Sequence, residues 1–296
     1  MTTQKIWFVL KTSTTVQRIR DIAEQEGIEL FLPTYQVTEM KGRNKIQKEK
    51  SLTLDLFFVR CTVSDMDRIC ENHKVVYPIF RRRKILSDTI DTQNTITGRY
   101  LSVPDKQMGY FMRTMELYDE NVPFIQPHEV DMTKGDIVRI IAGPLKGIEG
   151  ILLSEQGKDG GRVLVNIDDV VAIPTVSIQP EWLEILQFAP AGKHAYKKFD
   201  SFQKRLDTAI CNSNTELGLT ETDIKAMTTF IARYQNLMTS TKNHQAKLLT
   251  FMIMAHRLLQ HRHEDYVLLE EELKALKGEL TSKNTIELVN KYIAEV

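Results

Sequence analysis

His256, His261 and His263 are the residues of this chain whose type and closeness best suit metal binding or proton transfer. A metal site needs further His, Cys, Asp or Glu side chains at ligand spacing, and no Glu or Asp pattern completes one around these three. A polar turn at a helix end is the reading that follows. The cysteines, Cys61, Cys70 and Cys211, are odd in number and contain no CxxC pair, so they suggest neither a zinc cluster nor a disulfide framework. Cys61 falls within an apolar strand pattern, where a buried structural thiol is expected. No GxSxG elbow, P-loop or dinucleotide fingerprint occurs, and Gly157, Gly160 and Gly161 flank a turn with no helix after them. The sequence therefore predicts no catalytic residues, no cofactor and no metal.

The chemistry that remains is charge. Lys41, Arg43, Lys45, Lys48 and Lys50 lie in a stretch without apolar periodicity, read as an exposed basic hairpin loop around Gly42. Arg81, Arg82, Arg83 and Lys84 form a denser run directly after an apolar segment. Clustered cations suffice for phosphate contacts, and either group is a candidate nucleic-acid surface; a solvated face is the competing reading. Lys+Arg and Asp+Glu are 39 each, giving a formal net charge of zero. A protein that grips nucleic acid unaided is usually basic overall, so contact here is expected to be local and assisted by a protein partner.

The elements that position these residues fall into three groups. In the first, the apolar run Ile6 to Leu10 predicts a central strand, and Val16, Ile19, Ile22 and Ala23 share a helical face that Gly27 ends. Ile28 to Leu32 reads as a strand stopped by Pro33, with Tyr35 to Thr38 as a short extension. Leu52 to Cys61 predicts a strand apolar on both faces. Ser64 is the expected N-cap of the next helix, Val75 to Phe80 a further strand, and Pro104 the first turn of a helix carrying Met108, Phe111 and Met115. This is an α+β domain, an antiparallel sheet with helices, over residues 1–118, with a linker at 119–133.

The second group, residues 134–186, has short strands with turn punctuation, at 136–142, 150–153, 162–167 and 170–178, as in a small antiparallel barrel. Its densest motif runs from Lys134 to Gly150. There Gly135 and Asp136 start a strand carrying Val138, Gly143-Pro144 forces a turn, and Lys146, Gly147 and Gly150 follow. The third group, residues 193–296, shows only helical signals and predicts an all-α domain. Thr220 with Asp223 forms a capping box, and the helix over 245–260 is apolar around most of its circumference, as at the centre of a bundle. No apolar run approaches the roughly 20 residues that span a bilayer, and Met1 to Leu10 lacks a signal-peptide core, so no membrane association and a cytoplasmic location are expected.

The Lys134–Gly150 motif resembles the KOW motif of NusG and of several ribosomal proteins. The segments around Trp7, Gly27–Pro33 and Leu52–Arg60 resemble the NusG N-terminal domain, so the resemblance covers about residues 5 to 186. Where the family carries Phe-Pro-Gly-Tyr, this chain has Thr53, Leu54, Asp55 and Leu56. The resemblance implies an SH3-like KOW barrel. It also implies a non-catalytic elongation or antitermination factor whose N-terminal domain docks on the clamp helices of the largest RNA polymerase subunit. Leu54, Leu56, Tyr77, Ile79 and Phe80 would form that docking patch, Leu56 foremost because it stands where the family has an exposed tyrosine; ordinary sheet core is the competing reading. Non-template DNA or RNA, and a ribosomal protein or termination factor at the KOW barrel, are the further partners implied. The divergent first domain and the added helices resemble a specialised, operon-specific paralogue. A ribosome-associated RNA-binding KOW protein is the alternative, and the α+β domain argues against it.

Overall fold

A computed structural model of the chain describes residues 4–41, 44–53, 55–80, 100–118, 122–125, 135–154, 161–167, 171–189, 197–215 and 218–293. It is a mixed α/β protein with a helical C-terminal region. The chain divides into two compact units, Met1–Val130 with Val165–Thr175, and Asp131–Leu164 with Val176–Val296.

In the first unit, β1 (Ile6–Thr12) lies between β5 (Leu56–Cys61) and β6 (Val76–Pro78) in the order β2-β5-β1-β6, where β2 is Glu29–Phe31. A short β7 (Ser102–Val103) also pairs with β1. The register sets Phe8 opposite Val59, Val9 opposite Phe58 and Trp7 opposite Arg60. Because side chains alternate across a strand, Phe8, Leu10, Phe57, Val59 and Cys61 face one side. That side is closed by Ile19 and Ile22 of α1 (Val16–Glu26) and by Met66 and Ile69 of α2 (Val63–Asn72). The other side carries Phe58, whose ring meets Phe111 of α3 (Asp105–Met115) at 5.2 Å. Both faces of β1 are therefore covered, which is why Trp7, Phe8, Val9 and Leu10 are all buried.

Local signals fix the helix ends. Thr15 accepts the Arg18 N–H, and Gly27 ends α1 in the left-handed conformation at φ 65°. The cap of α2 is Thr62, in a reciprocal box with Asp65, so the expected cap Ser64 lies inside the helix. Asp65 returns to the Thr62 N–H, whereas Asp67, which stands three positions after Ser64, accepts from the Tyr100 hydroxyl.

Within the stretch 41–50, expected as a hairpin loop, residues 44–50 instead form part of a strand. β4 (Asn44–Ser51) pairs along its whole length with β3 (Thr34–Lys41), from Thr34 opposite Ser51 to Lys41 opposite Asn44. Such a ribbon has two largely wet faces, so ladder bonds and ion pairs hold it and no apolar period marks it. Its base is tied to α1: the Arg20 guanidinium donates to both Glu49 carboxylate oxygens at 2.6 Å, and Thr34 donates to the same carboxylate. The Arg20 hydrogen bond, the largest influence, holds the Glu49 carboxyl below its ordinary range. A depressed folded value stabilises fully above the ordinary carboxylate range and is lost as pH falls through the depressed value. Protection factors of the β3 and β4 amides should therefore fall on acidification below that range, and Glu49→Gln should reduce this pH dependence to the part that Glu39 contributes.

The second sheet runs β11-β10-β9-β8-β12, with β8 Ile137–Ile140, β9 Glu149–Ser154, β10 Gly161–Ile167, β11 Val171–Pro174 and β12 Leu183–Gln187. Among the described residues the ladder is an open path, and no pairing of β11 with β12 closes the expected barrel. The helices are α4 (Lys197–Ser213), α5 (Glu221–Tyr234), α6 (Lys242–Leu258), α7 (Val267–Leu276) and α8 (Lys283–Ile293). The expected capping box at Thr220 and Asp223 is present, and Asn212 of α4 donates to the same carboxylate at 3.0 Å. The apolar helix is α6, whose Leu248, Leu249, Phe251, Met252 and Ile253 are all buried. Among the described residues no helix is long and apolar enough to cross a membrane.

Candidate functional site

The register of the first sheet places Leu56 of β5 and Tyr77 of β6 on either side of Lys11 of β1, in one row across three strands. By strand alternation this row shares its face with Val9 and Phe58 but lies beyond them, towards the end of the sheet. Tyr77 is 49% exposed and Leu56 half-buried. The Lys11 ammonium between them lies 3.7 Å from the Asp55 carboxylate. Ile79 continues the same face, its N–H donating to the Val9 carbonyl at 3.3 Å. The arrangement is an apolar surface with one cation at its centre. Such a row can bury area against an amphipathic partner and offer one charge-assisted contact.

Sequence reasoning missed Lys11. The signal was available as parity: Trp7, Val9 and Lys11 alternate onto one face, where the apolar row ends in a cation.

Phe80 does not join this face. It pairs with Tyr100, and the two rings stack at 5.9 Å. Tyr100 belongs to the core between the sheet and α1 and α2, and its hydroxyl donates to Asp67. The patch expected from sequence thus divides, with Leu56, Tyr77 and Ile79 on one face and Phe80 on the other. Leu54 lies outside the described residues.

The basic hairpin is less positive than its lysines suggest. Lys48 and Lys50 both reach Glu39, at 2.8 and 2.7 Å. Their hydrogen bonds, Lys48 first, pull the Glu39 carboxyl down to about 2. Lys45 stands opposite the exposed Met40, and Lys41 ends β3 opposite Asn44. Arg43, Arg81, Arg82, Arg83, Lys84 and Lys134 lie outside the described residues.

The rest of the Lys134–Gly150 motif builds the second sheet. Asp136 accepts the Ala189 N–H at 3.0 Å, tying the start of the motif to the chain beyond β12. Val138 is fully buried. Gly143 has φ 78°, and a Cβ there would lie 2.7 Å from the Trp182 ring. Its carbonyl accepts the Lys146 N–H at 3.1 Å across Pro144, and the Gly147 N–H donates to Ile140 at 2.7 Å. A Cβ on Gly135 would lie 2.8 Å from the Leu152 carbonyl oxygen. At Gly150 it would lie 2.3 Å from the Leu164 carbonyl oxygen, a backbone atom that cannot move without parting the strands. Gly150→Ala should therefore lower stability by about 1–3 kcal/mol, the usual cost of overpacking. Gly109→Ala, in the interior of α3 where a Cβ meets nothing within 4 Å, should raise it by about 0.5–1 kcal/mol. Denaturant midpoints of the two proteins check both signs.

Among the described residues no group of three or more His, Cys, Asp or Glu is placed to hold a metal ion. His256 and His261 meet through their Nδ1 atoms at 2.9 Å, and His263 lies 3.1 Å from Glu270. Cys61 is buried, and burial above all pushes its thiol up to about 12, which removes it as a nucleophile.

No family model and no curated protein matches the chain. Among solved structures, one titled "Crystal Structure of MjSpt4:Spt5 complex conformation B" matches at 17% identity, covering 61% of this chain and 97% of that one, with a TM-score of 0.16. A superposition that weak is a distant likeness and supports no statement about this chain.

Proposed function

We propose that this chain is a NusG-like transcription elongation or antitermination factor, non-catalytic and cytoplasmic, that docks on RNA polymerase through the face built by Leu56, Lys11, Tyr77 and Ile79. The observation that carries the reading is the three-strand row: two partly exposed apolar side chains flank a cation at the end of a sheet otherwise covered on both faces. The supporting argument is the sequence resemblance over about residues 5 to 186, which assigns Leu56, Tyr77 and Ile79, together with Leu54 and Phe80, to the clamp helices. The motif glycines fit an SH3-like KOW fold, in which close strand approach and a tight turn are needed at the positions where Gly143 and Gly150 stand. The tested system is the full chain with purified core polymerase in a pull-down; no association would remove the proposal.

The arginine run tests the accompanying nucleic-acid contact. Replacing Arg81, Arg82 and Arg83 with Ala should weaken association with elongation complexes at low salt and change it little at high salt, where screening already removes the phosphate contribution. An unchanged salt slope would assign these residues to a solvated surface.

A further inference from the structure

Four successive points along residues 181–188 are held by the helical region. Glu181 pairs with Lys225 of α5 at 3.5 Å. Glu184, 1% exposed, accepts from the Asn236 amide at 2.6 Å, while its other oxygen accepts from Arg139 at 3.1 Å. The Met238 N–H donates to the Leu186 carbonyl at 2.8 Å, and Met238 bridges Gln187 in parallel orientation. Just beyond β12, the Phe188 ring meets Phe199 at 6.0 Å and Tyr234 at 6.2 Å.

These contacts are of two kinds. Phe188 anchors the helices through an aromatic cluster that continues to Phe230 and Phe251. The 236–238 segment is a clip held by the Met238–Leu186 backbone bond, the Asn236–Glu184 amide–carboxylate bond and the buried Leu237 side chain, with the Met238 side chain 65% exposed. β12 ends the strand order, so the clip occupies an outer edge. An outer edge offers unpaired backbone groups to any extended chain. A carboxylate buried as deeply as Glu184 also requires a donor on that side.

We propose that the β12 edge is a strand-accepting site which the chain fills with its own residues 236–238. The matching external ligand is an extended peptide. It presents a donor side chain, an amide, ammonium or guanidinium, to Glu184, and two residues later an N–H to Leu186. The clip opens by releasing Leu237 while the aromatic anchor stays closed, so the edge is uncovered without unfolding the helices. This rests on the second unit alone and does not depend on the polymerase reading.

Hydrogen exchange on the full chain tests it. Asn236→Asp sets a carboxylate against Glu184. The Met238 amide should then exchange about tenfold faster, as for the loss of one hydrogen bond, while amides in α4 and α6 keep their rates. Adding Glu184→Gln, which reverses donor and acceptor, should restore slow exchange. A labelled synthetic peptide with the sequence of residues 232–241 should bind the N236D protein and not the unaltered chain, and the same peptide carrying Asp at its Asn position should bind neither. Unchanged Met238 exchange in N236D, a rise shared by α4 and α6, or no peptide bound by N236D would each overturn the proposal.

Discussion

Leu56→Asp is expected to abolish most of the association between this chain and RNA polymerase while leaving the fold intact. A carboxylate placed in an apolar interface loses its hydration, and Lys11, already beside Asp55, offsets only part of that loss, at a cost of about 2–5 kcal/mol, or roughly thirty- to several-thousand-fold in affinity. Retention of the fold follows from the register. Leu56 stands directly across from Lys11, whose ammonium already lies near a carboxylate at Asp55, so a second acidic group has a cationic neighbour in the free protein. The backbone at this position is held independently of the side chain, because the Thr53 hydroxyl donates to the Leu56 carbonyl at 2.6 Å. Tyr77→Ala, on the far side of Lys11, should weaken binding less, since it removes contact area without adding charge. Phe80→Ala, on the opposite face, should leave the association unchanged. A pull-down with the folded variants, their fold confirmed by circular dichroism, decides. Full binding by the Leu56→Asp protein would remove this face from the interface, and loss through Phe80 alone would move the interface to the other side of the sheet.

Phe80 also shows where sequence reading reached its limit. Alternation along the strand already separates Phe80 from Tyr77 and Ile79, but which of the two faces is core depends on the partner strands, which no single strand records. The pairing with Tyr100 fixes Phe80, and Tyr100 lies twenty residues further along the chain. Much else was legible because the signal was local. The continuous apolar run of β1, the glycine that ends α1, the box at Thr220 and Asp223, and the apolar circumference of α6 each announce themselves within a few residues. β4 was illegible for the converse reason. A ribbon held by its ladder and by pairs such as Arg20 with Glu49 has no buried face and hence no apolar alternation. The row of Glu149, Arg139 and Glu184 across three strands, closed by Asn236, was equally hidden, because charged residues in a strand read as solvent-facing until a partner far along the chain is known.

Phe230→Ala should produce the largest loss of stability in the second unit. Phe230 is buried in α5, with its ring stacked on Phe202 at 3.7 Å and 11° and further aromatic contacts to Phe199 at 5.8 Å, Tyr234 at 4.9 Å and Phe251 at 6.3 Å. Removing a ring at the junction of three helices leaves a cavity that their backbones cannot close, a change that costs about 3–5 kcal/mol. That is a large part of the 5–15 kcal/mol that stabilises an ordinary domain, and corresponds to a fall in melting temperature of roughly 6–20 °C for a unit of this size. The effect should also reach the sheet. Phe188 joins the same cluster through Phe199 and Tyr234 immediately after β12, so helices and sheet are expected to melt in one transition. The chain has two tryptophans, Trp7 and Trp182. In a Trp7→Phe background, fluorescence of Trp182, whose ring covers Gly143, reports the second sheet, and far-ultraviolet circular dichroism reports mainly the helices. Both midpoints should drop together in the Phe230→Ala protein. A helical transition that falls while Trp182 holds its midpoint would show that the aromatic junction does not couple them, and a fall of under about 1 °C in both would show that the cavity is filled by rearrangement.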